Sequence, residues 1–205
     1  MTESTKPAST VALRFSARDL LNVAIFAVIY TVVVYAMSML GIISPLVMLV
    51  ALPLSIIVAG VPYMLFLTRV KHAGMVTLFA VALALFYLIG GHPWISTALT
   101  VAVALVAEAV LAVGKYRSKA AAVWAYAVFS LWYIGPLLPL LMNREEYLSA
   151  PAMQAMGPEY LEGFDQTVTV AAVWVYNGST FVCGLLGGLL GAAVLRKHFR
   201  KAGLA

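Results

Sequence analysis

Residues 20–40 read LLNVAIFAVIYTVVVYAMSML, a run without a single Asp, Glu, Lys, Arg or His. A helix needs about 20 apolar residues to cross roughly 30 Å of hydrocarbon, and this run has that length. Lys6, Arg14 and Arg18 precede it. The run is longer than a signal-peptide core and lacks a small-residue cleavage site, so it reads as a span that is retained. Five more apolar runs follow, near 43–67, 74–91, 95–114, 121–142 and 167–195. The third is short and the last is long enough to tilt. The second carries Pro45, Pro53 and Pro62, which predict a bent span packed inside a bundle.

Composition agrees. Of 205 residues 63% are hydrophobic and 10% charged, with a mean hydropathy of +0.99. A water-soluble domain is nearer half apolar and a quarter charged. The net charge of +5 is not a nucleic-acid patch, because the charges fall in short clusters between apolar runs. Basic residues follow the even-numbered spans: Arg69 and Lys71, then Lys115, Arg117 and Lys119, then Arg196, Lys197, Arg200 and Lys201. On the other side Arg144 stands alone among Glu145, Glu146, Glu159, Glu162 and Asp165. Positive charge is retained on the cytoplasmic side of membranes, so this alternation predicts six spans with both termini cytoplasmic. The expected protein is thus an all-α, multi-pass protein of the inner membrane. Residues 1–14 form a flexible tail and 15–205 a single membrane domain.

Several features point toward function. Gly184/Gly188 and Gly187/Gly191 are spaced four apart on the last run, a pattern that permits close helix approach, within the bundle or to a partner. Ala24, Ala27 and Thr31 give the first span a small-residue face fit for docking another protein. Glu108 is the one acid well inside a span. A structural pair or coupling contact suits it better than a proton relay, since no intramembrane His, Lys or Asp partners it. Opposite the basic clusters lie His92 and Trp94 between spans three and four, and Tyr133, Asn143 and Arg144 in and after span five. Trp174, Tyr176 and Asn177 open span six. An aromatic interfacial belt explains each ring singly. Aromatic and polar groups gathered at one level suit a small-molecule pocket, in which Arg144 would hold an anionic group. The long link 145–166 is either a lid or a solvated connector.

Enzyme constellations are absent from the sequence. No nucleophile stands beside a base, no histidine pair has metal-ligand spacing, and Cys183 is alone. Without a phosphate-binding glycine loop, the chain is not expected to hydrolyse ATP. Neither a metal nor an intrinsic cofactor is expected.

The combination of motifs resembles a known family. Its carriers are Phe15–Asn22 with Ala24–Ala27, Ala59–Leu67 with Gly74–Thr77, Phe129–Pro136 with Pro139, Met156–Tyr160, and Gly187–Gly191 with Lys197–Phe199 and Lys201–Gly203. Together they are similar to the Trep_Strep (MptD-type) substrate-specific S components of energy-coupling factor (ECF) transporters. The resemblance implies a six-helix S component in a bacterial cytoplasmic membrane. It would capture a scarce micronutrient from outside: a vitamin, a vitamin precursor, or a haem-like tetrapyrrole that His92 and Tyr133 could approach. Its partners would be a transmembrane coupling protein (the T component) and two cytoplasmic ATPases, which use the ATP. Ala24 and Ala27 occupy the region through which such components usually dock. The competing functional class is a self-sufficient secondary transporter that couples through Glu108.

Overall fold

The computed structural model describes residues 15–70 and 72–201, with side chains described as far as Lys197. The tail expected over 1–14 lies outside the described residues. Local chemistry fixes where helices begin. In α1 (Ala17–Ser38) Ser16 and Asp19 form a reciprocal capping box. In α2 (Pro45–Leu67) Ser44 caps the helix and Pro45 occupies the first turn, where its missing N–H costs nothing. Pro53 and Pro62 lie inside α2, which nevertheless continues as one helix. After α3 (Met75–Ile89) and α4 (Trp94–Val113), Ser118 caps α5 (Lys119–Phe129).

The chain then tightens into a 3-10 stretch over Ser130–Leu137 before α6 (Leu138–Met142). Pro136 and Pro139 withhold two amide donors there, and Gly135 lets this stretch press against Ser96 of α4. Three short helices follow: α7 (Arg144–Ser149), α8 (Pro151–Gln154) and α9 (Pro158–Thr167). The last helix, α10, runs Val170–Lys201. All regular structure among the described residues is helical.

Among the described residues five segments are long and apolar enough to cross a membrane: Ala17–Ile42, Pro45–Leu67, Trp94–Val113, Lys119–Met142 and Val170–Lys197. The third run expected from sequence is the shorter α3, with 15 residues. At about 1.5 Å per residue α3 reaches roughly 22 Å, short of a full hydrocarbon core unless the bilayer thins around it.

The bundle is inside-out relative to a water-soluble fold. Leu21, Val28 and Val32 on α1, and Val175 and Leu189 on α10, are exposed, whereas the interior is aromatic. Tyr63 lies nearly parallel to Phe129 at 5.1 Å and contacts Tyr126 at 4.6 Å. Phe66 stacks on Phe79 at 4.9 Å, and Tyr30 meets Phe79 edge-on at 5.5 Å. These rings join α1, α2, α3 and α5. Lipid solvates leucine as well as a protein core does, so shape and ring geometry, at about 0.5–1.5 kcal/mol per pair, carry the specificity.

The glycines of α10 serve this packing on two faces. Gly184 and Gly188 lie against Ala127 and Val123 of α5, while Gly187 and Gly191 lie against Ile56 and Gly60 of α2. The three residues of the docking face expected on α1 separate. Ala27 and Thr31 are 5% and 8% exposed, inside the chain's own bundle. Helical rotation carries only Ala24 of the three to the outer surface. The free face of α1 is Leu21, Ala24, Ile25, Val28 and Val32.

Glu108 caps another helix. Gly74, at the N-terminus of α3, offers no side-chain cap. Glu108 reaches across from α4, and its Oε2 accepts from the Thr77 N–H and the Thr77 hydroxyl, both at 2.8 Å. A carboxylate suits this place because the first-turn amides lack partners and the helix dipole is positive there. Tyr116 donates weakly to Oε1 at 3.4 Å. Its position follows from a left-handed turn at Lys115 (φ 52°) and Tyr116 (φ 55°), which ends α4. Glu108→Ala is expected to lower stability by about 1–3 kcal/mol by orphaning the half-buried Thr77 donors. Glu108→Gln, which retains an acceptor, should lose less. Thermal unfolding in detergent separates them.

Candidate ligand cavity

The helices place their charges at two ends. Arg69, Lys115, Arg117, Lys119, Arg196 and Lys197 gather where α2, α4 and α10 end and α5 begins. An apolar groove of about 370 Å³ opens there between Met64, Leu111 and Leu195, beside Arg117, Lys119 and Arg196. At the opposite end α7, α8 and α9 form a cap carrying Glu145, Glu146, Glu159, Glu162 and Asp165.

Beneath this cap lies a cavity of about 610 Å³. Its floor and walls come from Val34, Tyr35 and Ser38 of α1, Met48 and Leu52 of α2, and Phe86 and Tyr87 of α3. Trp132 and Tyr133 enter from the 3-10 stretch, Tyr176 from α10, and Tyr147, Met156 and Tyr160 from the cap. Such a size, with aromatic walls and few polar groups, is that of a small-molecule site.

Local backbone chemistry aims His92 into it. Gly91 takes φ 90°, a left-handed conformation that only glycine adopts cheaply, and the His92 N–H returns to the Tyr87 carbonyl at 2.9 Å. The turn folds the imidazole over Tyr87, with rings 4.7 Å apart and 10° from parallel. Trp132 contacts Tyr87 at 5.2 Å and Tyr133 at 4.5 Å, and its indole N–H donates to the Tyr30 hydroxyl at 3.3 Å. Ser55 spends its hydroxyl proton on the Leu52 carbonyl at 2.6 Å. Tyr133, 3.0 Å away, is therefore the donor in the bond between the two hydroxyls.

Three residues that line the cavity each keep a buried polar atom without a partner among the described residues, the Tyr87 hydroxyl, His92 Nδ1 and the Tyr176 hydroxyl, as Tyr63 and Asn177 do elsewhere. Leaving a buried donor or acceptor unsatisfied costs about 1–3 kcal/mol. Burial also pushes the His92 imidazole below its ordinary pKa.

Residues 17–201 match the family described as a hypothetical bacterial integral membrane protein, Trep_Strep. The chain belongs to the Trep_Strep family. No curated protein and no solved structure shows a significant match.

In this Trep_Strep protein the residues singled out from sequence separate into three groups. His92, Tyr133 and Tyr176 line the cavity. Trp94 and Asn143 line an adjoining groove of about 700 Å³, which shares His92, Pro136 and Tyr147 with it. Asn143 also caps α7, accepting from the Glu146 N–H at 3.2 Å. Arg144, Trp174 and Asn177 line neither space. Trp174 is 57% exposed on the outer side of α10, and the neighbouring Asn177 keeps a buried, unpartnered Oδ1.

Arg144 is engaged within the cap. Its guanidinium donates to Asp165 Oδ1 at 2.7 Å, to the Asp165 carbonyl at 2.8 Å and to the Val168 carbonyl at 2.9 Å. It clips the start of the cap to its end, so the fork that would hold an anionic cargo is already filled. Tyr160 pins the cap a second time, donating to the Gly41 carbonyl at 3.1 Å. Arg144→Ala is expected to speed protease cleavage within 145–166 severalfold, whereas Asp165→Asn, which spares both carbonyl bonds, should change it little. Limited proteolysis in detergent measures this.

Sequence reasoning missed Tyr35, Tyr87, Tyr147 and Tyr160 as wall residues. The one available signal was a tyrosine five residues before the only histidine of the cap end.

Proposed function

We propose that this Trep_Strep protein is the substrate-binding and translocating S subunit of an ECF-type importer. The observation that carries the reading is the aromatic cavity of about 610 Å³ beneath the acidic cap. A site for a small molecule explains its size and its aromatic walls.

The basic end faces the cytoplasm in this reading, in accord with the distribution of Lys and Arg, and α3 serves as a short sixth span. Both termini are then cytoplasmic and the cavity opens outward. A coupling protein and two ATPases supply the work, since the chain carries no nucleotide-binding loop of its own. The chain itself performs no covalent chemistry. Against the secondary-transporter alternative stands Glu108, whose Oε2 is engaged with Thr77.

The test is co-expression of the tagged full-length chain with a coupling protein and ATPase pair from the same genome. Recovery of a stable four-protein complex, with uptake that stops when the ATPase Walker lysine is replaced, is expected. Monodisperse chain that never retains the other three proteins would refute the reading.

A further inference from the structure

We infer that the groove at the basic end is a binding site for an anionic phospholipid. Arg117, Lys119 and Arg196 hold its phosphate, and the apolar bed of the groove takes its glycerol and upper acyl chains. The site lies at the opposite end of the bundle from the capped cavity and stands whether or not that cavity takes a cargo.

Charge marks the groove. The three cations come from the α4–α5 turn, the first residue of α5 and the end of α10, and all line the same space. Each is exposed, and none forms an ion pair with a described residue. The lining contains no Asp or Glu side chain. Such a cluster attracts an anion, and guanidinium forks suit the paired oxygens of a phosphate. Ser118, also exposed on the lining, accepts from the Ala121 N–H at 3.2 Å, so its hydroxyl proton remains to donate.

Depth distinguishes the occupant. Beside the cations lie Leu67, Ala122, Ala192 and Leu195, each half-buried and so partly open to the groove. The spanning segments end at this level: Pro45–Leu67 closes at Leu67, Lys119–Met142 opens at Lys119, and Val170–Lys197 closes beside Arg196. The cations therefore stand where hydrocarbon gives way to headgroups, and the apolar bed lies on the hydrocarbon side. A phospholipid carries its charge and its hydrocarbon in that same order. A soluble acidic peptide would meet the cations and leave the bed uncovered.

The experiment titrates delipidated full-length protein in non-ionic detergent with dioleoylphosphatidylglycerol or dioleoylphosphatidylcholine, read by native mass spectrometry. The anionic lipid is expected to bind about tenfold or more tighter than the zwitterionic one. The triple variant Arg117→Gln, Lys119→Gln, Arg196→Gln should weaken that binding about tenfold or more. A control triple variant, Arg69→Gln, Lys115→Gln, Lys197→Gln, removes as much charge from the same end but outside the groove lining. It should change binding less than about threefold, because exposed charges away from the phosphate are screened. Ala122→Phe, which fills the bed and keeps every charge, should weaken the lipid as well. Both charge variants alter exposed side chains alone, so the comparison between them holds even where Ala122→Phe fails to fold. Equal loss from the two triple variants would reduce the effect to the general field of the basic end and overturn the site. Phosphatidylcholine bound as tightly as phosphatidylglycerol overturns the anionic class. Glycerol phosphate or a polyglutamate peptide that displaces the lipid at equal concentration would show the bed to be unused and overturn the lipid as occupant.

Discussion

Gly191→Leu is expected to leave almost no folded protein. A Cβ at position 191 would sit 2.6 Å from the Gly60 carbonyl oxygen and 2.8 Å from the Met64 Cβ. The first obstacle is backbone and cannot rotate away. Relief requires α10 to move off α2, and the same movement would open the contact made by Gly187, whose Cβ would lie 2.7 Å from the Ile56 carbonyl oxygen. Overpacking a well-filled site costs about 1–3 kcal/mol, and obstruction of a backbone contact belongs at or beyond the upper end of that range. Membrane helices gain little from burying apolar area against one another, so close packing is a large share of what holds α10 in place.

Gly178 supplies the control. It lies on the same helix with nothing within 4 Å of a Cβ, so Gly178→Ala should be neutral or stabilising by up to about 1 kcal/mol. Monodispersity on size exclusion and the midpoint of thermal unfolding in detergent measure both. A Gly191→Leu protein that melts with the wild type would show that α10 does not depend on this contact.

The same packing explains which parts of the fold could be read from sequence. Apolar runs and basic clusters identify a helical membrane protein because the bilayer imposes a length and the cell imposes a charge asymmetry. The glycine spacing is legible for a similar reason, since only glycine tolerates such approach. The inward face of α1 is not legible. In water, a polar stripe marks the outside of a helix, but α1 is apolar on every side and lipid removes the contrast. Val23, Ala27, Tyr30 and Val34 turn inward because they fit against α2 and α3, which a one-dimensional pattern does not record.

The cavity shows the same division. His92 stands out because an imidazole after Gly90-Gly91 is conspicuous in an apolar chain. Tyr87 does not, since it sits in a helix of leucines and phenylalanines and gains its meaning from the turn that folds His92 onto it. Arg144 was conspicuous for a sound reason, being the lone cation of its end, yet its partners Asp165 and Val168 lie more than twenty residues further along. Charge asymmetry marked the residue. Tertiary structure decided what it holds.

Ala24→Trp and Ala27→Trp, which look like equivalent tests of docking on the sequence, are expected to fail in different ways. Ala27 is 5% exposed and belongs to the interior with Val23, Tyr30 and Val34. An indole there has no space, and the variant should be lost to aggregation or degradation before any partner is met. Ala24 faces outward, between Leu21, Ile25 and Val28. An indole at that position leaves the interior untouched, so Ala24→Trp should purify at wild-type yield and melt at the wild-type temperature. The cavity beneath the cap begins at Val34 on this helix, ten residues or about 15 Å further along, so ligand binding should also be unchanged. What the substitution alters is how closely another helix can approach α1. Where a coupling helix lies against Ala24, a bulky ring costs the close contact that small residues permit, and recovery of the complex with the coupling protein and ATPases should fall about tenfold or more. The measurement is the yield of the four-protein complex per unit of folded chain. Wild-type yield from Ala24→Trp would move the docking surface to another face of the bundle, and a folded, well-behaved Ala27→Trp would contradict the packing of α1 itself.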